Sequence, residues 1–81
     1  MDLKTFKELY EDATIVNKIY QLAKTMEIMG DDRVARMEAR MNRNKEDEKY
    51  YAKEVRAMDE RAQWLYGEII RELDPDGIME G

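Results

Sequence analysis

Apolar residues in the second half of the chain recur in alternating steps of three and four. Val34, Met37 and Met41 lead through the polar Asn44 and Glu48 to Tyr51, Val55, Met58, Ala62, Leu65 and Ile69. A mean spacing of 3.5 residues is the mark of helices packed side by side. Two further stripes run through the first half. One is Phe6, Leu9, Ala13, Val16, Tyr20 and Ala23; the other is Ile15, Ile19, Leu22, Met26 and Met29. At 100° per residue their centres lie about 100° apart, so the later part of this segment is apolar over more than half its circumference. A helix in a two-helix hairpin needs one stripe. The surplus calls for a third helix, a second copy of the chain or another partner.

The element boundaries follow from capping chemistry. Asp2 is a good N-cap for a helix starting at Leu3, with Met1 stapled to Phe6. Gly30 is a natural residue to follow a helix end, which predicts a helix over about 3–29 and a turn at 30–31. Asp31 or Asp32 then caps a second helix from about 32. It either continues to 73 or breaks after 43, with Asn44 capping a helix over about 45–73 and Asp47 at the third position. The polar Asn44 and Glu48 in the seam favour the break. The Asp74-Pro75-Asp76-Gly77 run reads as a type I turn, and 78–81 as a short tail. The expected fold is therefore a single all-α domain, a helical hairpin or three-helix bundle with coiled-coil-like heptad packing, antiparallel at Gly30 and self-associating.

Composition sharpens this reading. Eighty-one residues leave a small core. Without cysteine, neither disulfide nor thiolate metal site can supplement that core, and oligomerisation is the remaining common remedy. The net charge of −5 argues against direct nucleic-acid binding. Charge is unevenly spread: residues 31–45 carry a local +2 and residues 62–81 a local −4. No apolar run reaches the roughly 20 residues of a membrane span. Charged residues near the N-terminus interrupt any signal-peptide core, so a cytoplasmic location is expected, or the host cytoplasm for a phage-encoded chain, with no membrane partner.

The inventory gives little purchase for catalysis. Histidine, cysteine and serine are absent, and Thr5, Thr14 and Thr25 have no imidazole to activate them. Carboxylates with a hard cation such as Mg²⁺ are the remaining option. Glu8 and Glu11 form an E-x-x-E pair that resembles half of the acidic motif of helical nucleotide pyrophosphohydrolases of the MazG type. The resemblance implies Mg²⁺-dependent phosphate chemistry but stops at that pair, because Asp59 and Glu60 diverge by 100° and Glu68 and Glu72 lack the matching pattern. The expectation is no enzyme, no cofactor, no metal and no catalytic residue.

Binding is better supported. Arg33, Arg36, Arg40 and Arg43 share a helix face and form a candidate contact for an anion or an acidic partner. In the stretch from Met58 to Leu73, Ala62, Leu65 and Ile69 continue the seam while Trp64, Tyr66 and Ile70 point elsewhere. Trp64, Leu65, Tyr66, Ile69, Ile70 and Leu73, together with Ile15, Ile19, Leu22 and Met26 of the first half, are the candidate protein interface. The expected function is a non-enzymatic interaction module that docks a helical face on a protein partner, itself or another. Small acidic helical inhibitors and adaptors of phages and mobile elements are similar in size and composition. A homo-oligomeric assembly protein is the alternative.

Overall fold

The computed structural model describes residues 1–74, and all three elements found there are helices: α1 (Leu3–Tyr10), α2 (Ile15–Met41) and α3 (Lys45–Leu73). Helix α1 starts where the capping reading placed it. The Asp2 carboxylate accepts a hydrogen bond from the Thr5 amide at 2.8 Å, and that bond holds the Asp2 carboxyl below its ordinary 3.8. Helix α3 also starts as read, with Asn44 Oδ1 accepting from the Asp47 amide and Asn44 Nδ2 donating to the Asp47 carboxylate. Glu46, Asp47 and Glu48 crowd its first turn, where negative charge meets the positive helix end. It stops at Leu73, with Asp74 as C-cap. The turn expected at 74–77 and the tail at 78–81 extend beyond the described residues.

Two expectations about the first half are corrected. The helix expected over 3–29 breaks at Glu11–Thr14, where the Thr14 hydroxyl accepts from the Asn17 amide and caps a new helix. Conversely, no turn occurs at Gly30. Helix α2 runs straight through it, because a mid-helix glycine costs only about 1 kcal/mol relative to alanine. Burial of Met29 beside it and Ala39 beyond it favours continuation. The hairpin turn lies instead at Asn42–Asn44. There the Asn44 amide donates to the Ala39 carbonyl and the Arg43 amide to the Arg40 carbonyl, with Arg43 at φ 57°. This is the double hydrogen bond of a Schellman stop, with arginine in the left-handed position that glycine usually fills.

Helices α2 and α3 form an antiparallel pair. Lys18 lies 3.9 Å from Glu68 at one end, and Arg40 lies 3.0 Å from Glu48 at the other. That register sets Leu22, Thr25 and Met29 level with Leu65, Ala62 and Met58. On α3 the heptad seam is realised as read: Met58, Ala62, Leu65 and Ile69 are buried, and Tyr51 and Val55 are half-buried. The α2 side of the seam is Lys18, Leu22, Thr25, Met29, Asp32, Arg36 and Ala39, again in steps of four and three, and all are buried or half-buried. Four of these seven are polar. Val34, Met37 and Met41, expected in the seam, are exposed. The seam positions of this stretch are Asp32, Arg36 and Ala39, which leaves Val34, Met37 and Met41 on another face, because helical phase does not carry across the Asn42–Asn44 break. Helix α1 lies against α3, where Phe6 is buried and meets Trp64 edge-on at 6.0 Å between ring centres. The Arg61 guanidinium covers the Phe6 ring at 5.0 Å and donates to the Met1 carbonyl.

The polar seam residues find partners unevenly. Lys18 Nζ donates to the Glu11 carbonyl at 3.2 Å and lies 3.9 Å from both Glu68 and Glu72, so one buried ammonium ties the α1 end to α2 and α3. The Thr25 hydroxyl donates to the Gln21 carbonyl one turn back. Asp32 Oδ2 is buried without a hydrogen-bond partner. Burial, and then the facing Glu54 and neighbouring Asp31, raise the Asp32 carboxyl above 3.8. The folded state therefore holds this proton more tightly than the unfolded chain. The resulting contribution to stability is complete below 3.8, and is lost as pH rises through the raised folded value. Asp32→Asn is expected to stabilise the fold at neutral pH by on the order of 1 kcal/mol and to flatten this part of the pH profile. Urea titrations at neutral and acidic pH check both outcomes; equal effects at the two pH values would contradict them.

Candidate interaction surface

Eight residues of α2 outside the α2–α3 seam fall on one line, while the exposed Ile28 lies on another side of the helix. Val16, Ile19, Ala23, Met26, Gly30, Val34, Met37 and Met41 are all exposed. Several recur eleven residues apart: Ile19, Gly30 and Met41; Ala23 and Val34; Met26 and Met37. Eleven residues are close to three full helical turns, so such a row stays nearly straight along its helix. The row spans α2 from end to end, about 40 Å at 1.5 Å per residue. Its centre lies about 120° around the helix from the inner seam. Exposure is substantial throughout, from 48% at Ile19 to 79% at Met41. Tyr20 lies beside the row, with Lys24 Nζ 5.9 Å from its ring centre.

The sidedness is inverted relative to an ordinary amphipathic helix. The face that packs inside carries Lys18, Thr25, Asp32 and Arg36 beside Leu22, Met29 and Ala39, while one exposed row carries valine, isoleucine and methionine next to exposed polar positions such as Lys24, Glu27 and Arg33. Singly scattered exposed apolar residues are normal on protein surfaces, but a contiguous apolar strip marks a contact site. Gly30 sits mid-row. A Cβ added there would meet nothing within 4 Å, so packing within the chain does not require glycine at this position. Three methionines in the row give it flexible, polarisable side chains that adapt to a facing surface.

The residues singled out from sequence divide between inside and outside. Leu65 and Ile69 are buried in the α2–α3 seam, and Ile15, Leu22, Trp64 and Ile70 are half-buried. Trp64 packs on Phe6 in a T-shaped pair. Ile19 and Met26 lie in the exposed α2 row. Tyr66 and Leu73 are exposed on α3, away from that row. Val16, Val34, Met37 and Met41 belong to the surface although their spacing read as core. The eleven-residue repeat was their signal, and it appears only when α2 is followed through Gly30.

The arginines also separate. Arg33, Arg36 and Arg40 line a shallow groove of about 330 Å³ together with Met37, so the groove adjoins the apolar row. Arg40 is committed to Glu48, whereas Arg43 stands in the hairpin turn. Glu8 and Glu11 are both exposed, and Glu11 lies just past the last residue of α1. Among the described residues, no group of three or more acidic side chains is gathered closely enough to hold a metal ion, and no helix is long and apolar enough to cross a membrane. No protein family, curated protein or solved structure matches this chain.

Proposed function

We propose that this chain is a non-enzymatic protein-interaction module whose docking surface is the outer face of α2. The observation that carries this reading is the inverted sidedness of α2: its inner seam is half polar and its outer row is apolar over the whole helix. Covering the outer row with another protein is worth roughly 1 kcal/mol for each half-exposed large side chain, enough in sum to support specific association after the entropic cost of binding. The arginine groove beside Met37 adds a rim that favours an acidic partner surface. Mechanistically, such a module works by occlusion or scaffolding, since it offers a long rigid face.

The test is capture of a labelled protein partner, a second copy or another protein, on the immobilised full chain. Met26→Glu places a charge in the middle of the row without touching the inner seam and is expected to abolish capture. Glu60→Lys, an exposed change on α3, is expected to retain it. Equal capture by wild type and Met26→Glu would refute the reading.

A further inference from the structure

We infer that the outer row of α2 pairs with the same row of a second copy, antiparallel and about a two-fold axis near residues 28 and 29. This inference rests on the interaction-module reading and names its occupant. Three observations carry it.

The first is that the row is complementary to its own reverse. Laid antiparallel, Val16 falls opposite Met41, Ile19 opposite Met37, and Met26 opposite Gly30, with the register agreeing to within one residue, about 1.5 Å, from pair to pair. A two-fold interface demands this property: each residue must meet a position that suits it in both directions. The Met26–Gly30 pairing also places a long side chain against the one position in the row with none. It supplies the use for a mid-helix glycine that packing within the chain does not require.

The second is charge. Around the hairpin tip, residues 31–56 carry eight bases against seven acids, a net +1. At the open end of the bundle, residues 1–30 with 57–74 carry six bases against ten acids, a net −4. Each molecule is thus polarised along its length. Antiparallel pairing sets the basic tip of one copy beside the acidic open end of the other at both ends of the pair. Parallel pairing would bring like ends together. Charge complementarity of this kind fixes orientation and register.

The third is area. The molecule is a slab measuring 49 × 28 × 17 Å, only 17 Å thick. The row, about 40 Å long on a helix about 10–12 Å across, offers roughly 400–500 Å², the central part of the roughly 800 Å² per partner that standard interfaces bury. A second copy therefore has room to form a stable contact along α2.

The absence of native cysteine permits a direct test of orientation. Full-length Val16→Cys and Met41→Cys chains are mixed in equal amounts and oxidised mildly; both sites are exposed, so neither change disturbs the inner seam. Antiparallel pairing predicts the mixed disulfide as the dominant product, well above the share that random pairing gives. Dominant self-disulfides would overturn the proposal by showing parallel pairing. Cross-linking no faster than that of a Glu60→Cys control would overturn it by showing no pairing through this row. If cross-linking fails while Met26→Glu still abolishes capture of a different protein, the second copy is the wrong occupant and the interaction surface stands. If both fail, the surface itself is refuted.

Discussion

Leu65→Ala is expected to lower the free energy of unfolding by about 3–5 kcal/mol. Among the described residues, Leu65 is the one large side chain with 0% exposure, and it lies level with Leu22 in the open half of the α2–α3 seam. Truncation removes most of its buried hydrocarbon and leaves a cavity. Two long, rigid helices held at Lys18–Glu68 and at Arg40–Glu48 have little freedom to collapse into that cavity, which places the cost toward the upper part of the range. Against a total stability of roughly 5–15 kcal/mol for a small domain, such a loss is a large fraction of the whole. Val34→Ala, on the exposed row, is expected to change monomer stability by less than about 0.5 kcal/mol. Urea denaturation at low protein concentration, where association does not add to stability, separates the two. Comparable losses for both variants would mean that the inner and outer faces of α2 are wrongly distinguished.

Met37→Glu carries the complementary expectation: a large effect on association with little on the fold. Met37 is 64% exposed and adjoins the arginine groove, so a glutamate there is solvated in the monomer and can rest near Arg33 and Arg36. In the paired state it would have to be buried opposite Ile19. A two-fold interface contains the change twice. Desolvating two carboxylates is expected to cost at least about 3 kcal/mol of association, roughly a hundredfold in Kd. Helix content by circular dichroism is expected to match wild type. A variant that associates as tightly as wild type would remove Met37 from the interface; one that loses its helix content would place Met37 in the fold.

These two residues also mark what could be read from the sequence. Leu65 was legible as a seam residue because α3 is one uninterrupted helix, and over such a stretch the spacing of apolar residues fixes which side faces inward; its reading as partner interface gives way to its burial against α2. The Asp2 and Asn44 caps and the stop at Leu73 were legible for a similar reason: each depends on residues within a turn of itself. Met37 was not legible, because extrapolating one seam across Asn42–Asn44 assumes a helical phase that the hairpin turn resets. Gly30 misled because glycine marks helix ends by its conformational freedom, while tertiary packing on either side overrode that preference. The actual stop uses Arg43 in a left-handed conformation, which residue type alone does not announce. The break at Glu11–Thr14 had only a weak signal, a threonine cap without the glutamate or glutamine that completes a capping box. The polar inner face of α2 was the least legible feature. Lys18, Asp32 and Arg36 look like surface residues until the long-range pairing with α3 places them, and only then does the apolar row opposite become a surface in need of cover.

Solution mass across a dilution series, measured on the full chain by light scattering, tests most directly whether that row is covered by a second copy. The expected result is a mass of twice the 9.7 kDa chain at high concentration, falling toward the monomer on dilution, with Met37→Glu monomeric throughout. A mass of 9.7 kDa at every concentration for wild type would contradict pairing of the α2 faces.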